Sequence, residues 1–180
     1  LEFLLSKAGM SKEMIGMTPK ELAKFAEKRA RAKEMTAKMK KLYLNGKLGL
    51  IIDSTAHDYK RIAKEKKEME EAGYDTFMIF VNTSLEIAQA NNLRRDRKLQ
   101  AKVVEDSWKD VQKNIGRLTN LFRGSFEIVD NDKDEKDPEM VNLFRRLTRY
   151  VKAYLKRPLK SKLAKKWIAE RQKIVQKGKS

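Results

Sequence analysis

Cysteine is absent from the 180-residue chain, and histidine occurs only once, as His57. Disulfide bonds and thiolate-bound zinc are therefore excluded. A zinc site built from several histidines is excluded as well, and a Ser-His-Asp triad would have to use that single imidazole. Proline and glycine are scarce, with 3 and 8 residues, which is typical of a helix-rich globular chain.

Long apolar runs are also missing from the sequence. No stretch approaches the roughly 18 apolar residues of a membrane-spanning helix, and no signal-peptide pattern opens the chain. We therefore expect no membrane partner and a cytoplasmic location, which would be the host cytoplasm if a bacteriophage encodes the protein. The chain begins at Leu1 rather than Met, so we expect it to be a fragment or a processed product.

Acidic residues are outnumbered by cations, 25 to 42, which gives a formal charge of +17. In residues 138–180, fourteen Lys or Arg stand against two Glu, a surplus of +12. A segment of this density predicts affinity for polyanions: nucleic acid, nucleotide phosphates or an acidic partner. The candidate polyanion-binding residues are Arg145, Arg146, Arg149, Lys152, Lys165 and Lys166.

Aromatic residues interleave with these cations, and two interpretations are open. Tyr150, Tyr154 and Trp167 could stack on bases while the cations follow the phosphates. Alternatively, two basic helices pack an apolar face onto the body of the protein, through Leu147, Tyr150, Val151, Trp167 and Ile168. Polyanion contact on the outer face is compatible with that packing.

Three mostly apolar stretches, 48–53, 77–82 and 125–130, predict strands of one parallel sheet. An unbroken apolar run such as 77–81 is typical of a strand buried on both faces. The charged segment 58–72 predicts a helix, so that the first two strands form a βαβ unit. We therefore expect an α/β fold with a parallel sheet flanked by helices, long helices on its N-terminal side and a basic helical C-terminal extension.

Helix signals are clear elsewhere in the chain. Thr18 and Glu21 predict a capping box that opens a helix ending at 45–46, with Pro19 in its first turn. Its Met-rich apolar stripe predicts core packing, with a partner-binding groove as the alternative. Thr83 and Glu86 predict a second capping box for a helix at 84–93. Further helices are expected at 101–122, 138–155 and 161–176.

An acidic residue and an arginine-rich turn are the candidates for chemistry. Asp53 would face a ligand at the carboxyl end of strand 48–53, but Asp-Ser-Thr is also an ordinary helix N-cap. Arg94, Arg95 and Arg97 form a dense cationic turn. It is either a solvated charge run or a phosphate clamp, since the guanidinium fork matches phosphate oxygens.

The order of these stretches resembles the C-terminal two-thirds of a P-loop kinase of the zeta-toxin-like type, common in large bacteriophage genomes. The resemblance is carried by 50–55 (LIIDST), 77–84 (FMIFVNTS), 94–98 (RRDRK) and 126–131 (FEIVDN). It implies a partial kinase-like α/β domain at 1–131 and a basic helical extension at 132–180. It also implies transfer of the ATP γ-phosphate to a hydroxyl of a nucleotide, sugar nucleotide or nucleic-acid end, with Mg²⁺ as the second cofactor.

The resemblance implies roles for individual residues. Asp53 would orient Mg²⁺ through water, and Asp130 and Asn131 would lie near the nucleotide base. The lid cations would neutralise phosphoryl oxygens in the transition state: Arg94, Arg95 and Arg97.

The Walker A loop of such kinases is missing, because no G-x-x-x-x-G-K-[ST] pattern occurs in the chain. We therefore expect this chain alone to be catalytically incomplete. Either an upstream segment or another chain completes the sheet, or the stretches 48–53 and 77–81 pair directly. The alternative function is a non-catalytic nucleic-acid-binding protein, or a phage structural or packaging protein, on a degenerate kinase fold.

Overall fold

The structure is a computed structural model that describes residues 1–10, 16–95, 98–133 and 136–177. The elements of the described chain are α1 (Glu2–Lys7), α2 (Pro19–Asn45), α3 (Tyr59–Glu71), β1 (Met78–Asn82), α4 (Leu85–Arg94), α5 (Ala101–Leu121), β2 (Phe126–Asp130), α6 (Pro138–Leu155) and α7 (Lys162–Lys177). They form two compact units. The first unit is Leu1–Asp53 with Ala88–Glu105, and the second is Ser54–Ile87 with Asp106–Ser180.

Helix α2 dominates the first unit and begins at the predicted capping box. The Thr18 hydroxyl accepts a hydrogen bond from the Glu21 amide at 3.3 Å, and the Glu21 carboxylate accepts one from the Thr18 amide at 2.8 Å. The helix ends at Asn45 with Gly46 as its C-cap, as predicted. Its buried side chain is Phe25, on the helix that packs against α1.

Beyond Phe25, most of the apolar stripe of α2 lies in solvent, so its prediction as core was wrong for that part. Met35, Met39 and Leu42 are 47%, 48% and 63% exposed. Helical spacing shows which side of a helix is apolar, but it does not show whether another element covers that side.

Residues 48–53 have no regular secondary structure, so one of the three predicted strands is wrong. Ile51 is fully exposed, at 101% of its reference area, and Leu48 and Ile52 are about half exposed. An apolar run becomes a strand only when its backbone groups find hydrogen-bonding neighbours. The predicted βαβ unit that began with this stretch is wrong for the same reason, and so is its direct pairing with 77–81.

The sheet of the described chain has two strands, β1 and β2, which pair in parallel from Met78 with Phe126 to Asn82 with Asp130. This confirms a parallel sheet flanked by helices. Phe80 and Val129 are each 3% exposed, but Val81 is 58% exposed. The strand at 77–81, predicted to be buried on both faces, is therefore buried only in part. A sheet of two strands is too small to be covered completely by the flanking helices.

The core of the second unit joins α3, β1 and α5. Leu118 of α5 is fully buried and packs with Ile62 of α3 and Phe80 of β1. Asn114, also buried, donates hydrogen bonds to the backbone carbonyls of Ala56 at 3.1 Å and His57 at 2.8 Å. The turn that precedes α3 is thereby tied to α5.

Helices α6 and α7 also belong to the second unit and pack through aromatic rings. The Phe77 ring lies 5.4 Å from Tyr150 and 4.9 Å from Tyr154, between centroids. The Tyr74 and Trp167 rings meet edge-on at 5.5 Å. Of the two interpretations of these aromatics, the structure supports packing.

Candidate nucleic-acid interface

Helix α6 has one side that faces its own unit and one that faces solvent. Asp137 caps it by accepting a hydrogen bond from the Glu139 amide at 2.8 Å, and Pro138 occupies the first turn, where a missing N–H costs nothing. Its inward residues recur at helical spacing: Met140, Leu143, Leu147, Tyr150 and Tyr154. This packing fixes the direction in which the remaining side chains point.

Three of the predicted polyanion-binding cations share the outward side of α6. Arg145, Arg149 and Lys152 are exposed and follow one another at four- and three-residue spacing, so they lie on the same side of the helix. Among the described residues, none of the three has a hydrogen bond or an ion pair through its side chain. Within the part of the chain that the structure describes, these charges are therefore available to an external anion.

Arg146, a fourth predicted cation, points elsewhere. Its guanidinium lies 3.8 Å from the carboxylate of Glu127 on β2. This pair neutralises Arg146 in part, so it is a weaker candidate for polyanion contact than its neighbours on the same helix.

Phe144 lies beside these cations, and sequence reasoning missed it as a candidate. It is 44% exposed and occupies the border between the inward residues of α6 and its outward cations. Together with Val141, Asn142 and Thr148, it lines an open hollow that also includes Arg145 and Arg149. The signal in the sequence was its position directly after Leu143, at the edge of the apolar stripe formed by residues 140, 143 and 147.

The last two predicted polyanion-binding residues, Lys165 and Lys166, lie on α7. Both are exposed, whereas their neighbour Ala164 is 5% exposed and Trp167 contacts Tyr74. Helix α7 therefore also divides into an inward apolar side and an outward basic side.

The residues assigned to phosphoryl transfer do not form a cluster in the described structure. Asp53, Arg94 and Arg95 are exposed residues of the first unit, and Arg97 lies outside the described residues. Among the residues described, no side-chain hydrogen bond or ion pair joins Asp53 to Arg94 or Arg95. The strand that was to present Asp53 is missing as well, so its role stays a prediction.

Asp130 ends β2 and Asn131 follows it, beside Asn82 at the carboxyl end of β1. Their place near a nucleotide base stays a prediction. The Asn82 amide donates to the Asp130 carboxylate at 2.9 Å, and the Asn131 backbone N–H donates to the Asn82 carbonyl at 2.8 Å. Gln112 donates to the side-chain oxygen of Asn82 at 2.9 Å. The polar groups at the strand ends thus bond mainly to one another.

Asp132, which sequence reasoning left in a charged loop, occupies the start of α4. Its carboxylate accepts hydrogen bonds from the Ser84 amide at 2.7 Å and the Thr83 hydroxyl at 2.8 Å. These bonds lower the pKa of Asp132 from its ordinary value, the backbone bond of Ser84 contributing most. A side chain therefore fills the position where a helix N-terminus would otherwise bind a phosphate.

The predicted capping box of Thr83 and Glu86 was wrong by one residue. Ser84 is the N-cap, because its hydroxyl accepts a hydrogen bond from the Ile87 amide at 3.4 Å. Thr83 instead uses its hydroxyl on Asp132, and its carbonyl accepts from the Trp108 indole at 2.8 Å.

In residues 1–10, 16–95, 98–133 and 136–177, no three acidic or histidine side chains are grouped so as to coordinate a metal ion. None of the described helices combines the length and the apolar character needed to cross a bilayer.

Comparison with models of protein families, with curated proteins and with solved structures found no match for this chain. The resemblance to P-loop kinases therefore stays a prediction, as do the cofactors ATP and Mg²⁺ that it implies.

Proposed function

We propose that this protein binds nucleic acid, and that the outward cations of α6 and α7 contact the phosphate backbone. The observation that carries the proposal is the two-sided character of α6. Its aromatic side packs on Phe77, while Arg145, Arg149 and Lys152 extend into solvent without acidic partners in the described chain.

The physical basis of the binding is the release of counterions from the nucleic acid. The logarithm of the affinity falls linearly with the logarithm of the salt concentration. Each phosphate neutralised by Lys or Arg adds about 0.7 to 0.9 to the steepness of that slope. The +12 surplus of residues 138–180 supplies enough cations for several such contacts. Arginine adds geometry, because its guanidinium can bind one phosphate through two parallel hydrogen bonds.

Two features favour this function over phosphoryl transfer. The Asp132 carboxylate occupies the start of α4, where a nucleotide phosphate would bind next to a parallel strand. Residues 48–53 form no strand, so nothing presents Asp53 at a sheet edge. Kinase activity stays a prediction, and it would require a Walker A motif, which this sequence does not contain.

The test is the affinity for a fluorescent oligonucleotide, measured by anisotropy over a range of salt concentrations. Substituting Arg145→Gln, Arg149→Gln and Lys152→Gln together should lower the affinity and reduce the salt slope by about 2 to 3. The matched control is Arg29→Gln, Arg31→Gln and Lys33→Gln on α2, which removes the same charge from exposed positions elsewhere.

The control should retain a steeper salt slope than the α6 variant. Equal losses in the two variants would show that net charge alone attracts the oligonucleotide, and no binding at low salt would overturn the proposal. Deletion of residues 138–180 is a poor substitute, because it would uncover Tyr74 and Phe77.

A further inference from the structure

The second inference rests on the proposed function and concerns the form of nucleic acid that is bound. We infer that α6 binds single-stranded nucleic acid, with one base stacked on the ring of Phe144 and the adjoining phosphates on Arg145 and Arg149. Neither the sequence motifs nor the kinase resemblance pointed to this residue.

Phe144 is the aromatic ring of α6 that is available to a ligand. The other two rings of the helix, Tyr150 and Tyr154, contact Phe77. In the described structure, no ring-to-ring or cation–π contact involves Phe144, and 44% of the residue is exposed. An exposed phenylalanine among arginines offers stacking area that the fold does not use.

The helix surface separates the residues that would stack on a base from those that would bind phosphates. Phe144 and Thr148 are four residues apart and form one row, and Arg145 and Arg149 form the next row. Within each row the β-carbons are about 5–6 Å apart. These residues line part of the open hollow on α6, where a base would meet the Phe144 ring and the Thr148 hydroxyl while its backbone follows the arginine row.

A duplex cannot use this arrangement in the same way. Its bases are already stacked and paired, so an aromatic ring reaches a base face only after the base is unstacked, at a cost of a few kcal/mol. A single strand presents free base faces, and stacking on an aromatic side chain tolerates any base. A duplex would therefore engage the cations of α6 but not Phe144.

The experiment compares a labelled single strand of deoxythymidylate with a duplex of equal length, both titrated with the full 180-residue chain. Phe144→Leu keeps an apolar side chain and removes the ring. It should weaken single-strand binding by at least about fivefold, the lower limit of the loss per stacked base, and leave duplex binding within about twofold. Phe144→Trp should restore the single-strand affinity.

Phe3→Leu on α1 is the matched control, because it removes an exposed ring, 72% exposed, from the first unit. Circular dichroism of each variant establishes that it is folded. The stacking inference is overturned if Phe144→Leu changes single-strand binding less than about twofold, if it weakens both ligands equally, or if the unchanged protein prefers the duplex. Those results leave the proposed function standing, whereas absence of binding to both ligands overturns both proposals.

Discussion

The indole of Trp167 lies directly against the α-carbon of Gly73. A β-carbon at Gly73 would come within 2.8 Å of Cζ2 and 2.9 Å of Cη2 of that ring. Gly73 also has a φ of +94°, a backbone conformation that L-residues with side chains rarely adopt. Glycine is therefore needed at the end of α3 for two reasons: the turn requires a positive φ, and the Trp167 ring of α7 leaves no room for a β-carbon.

Gly73→Ala should lower the free energy of unfolding by about 2–5 kcal/mol. Overpacking against Trp167 contributes about 1–3 kcal/mol, and the positive φ about 1–2 kcal/mol. The matched control is Gly124→Ala, where φ is +78° and nothing lies within 4 Å of the added carbon. Urea unfolding followed by tryptophan fluorescence measures both, and equal losses would show that α7 does not pack on Gly73.

Asn114→Ala should lower the free energy of unfolding by about 1–3 kcal/mol, because it leaves two backbone carbonyls, those of Ala56 and His57, without their donor. Asn120→Ala on the same helix is the control, since Asn120 is exposed and its side chain accepts only a long, exposed hydrogen bond of 3.4 Å from Arg123. Comparable losses in the two variants would contradict a structural role for the buried amide.

Asp132 should make the stability of the second unit depend on pH. Its pKa is lowered in the folded chain by the hydrogen bonds from Ser84 and Thr83, so its contribution is complete above the ordinary value of 3.8. That contribution is lost as the pH falls through the lowered folded value. Asp132→Asn should therefore reduce the melting temperature of the second unit at pH 7, measured by tryptophan fluorescence, and the difference from the unchanged protein should shrink in acid.

Asp53→Asn is the control for that measurement, because the Asp53 side chain makes no hydrogen bond among the described residues. It should leave the melting temperature at pH 7 unchanged. A difference between Asp132→Asn and the unchanged protein that stays constant from pH 7 to strong acid would contradict the linkage.

Short-range signals in the sequence predicted the helices well. The Thr18–Glu21 capping box and the opening of α6 at Pro138 depend on residues within one turn, so the sequence contains all the information. Helices α3, α5 and α7 also lie within two residues of their predicted bounds. The parallel relation of β1 and β2 followed from two apolar stretches separated by helices.

Long-range partners could not be predicted in the same way. The apolar stretch 48–53 and the stripe of α2 were expected to be buried, but burial depends on what lies opposite them. Asp132 bonds to Ser84, 48 residues earlier, and no local pattern indicates such a pair. Phe144 is exposed because the neighbours of α6 stop at its inward residues, which only the tertiary structure reveals.

The solvent-exposed stripe of α2 has a consequence for how unfolding is observed. The helix has 27 residues but buries Phe25 alone, so its stability depends on its caps and on local pairs such as Glu34 with Lys38 at 2.7 Å. Such helices melt gradually with temperature. Both tryptophans, Trp108 and Trp167, lie in the second unit, whereas α2 lies in the first.

Far-UV ellipticity, which measures helix content, should therefore fall at a lower temperature and over a broader temperature range than tryptophan fluorescence. Coincident curves would mean that a partner or a second copy covers α2. Without such a cover, a single melting temperature does not describe this chain, and each spectroscopic probe reports the unfolding of a different part.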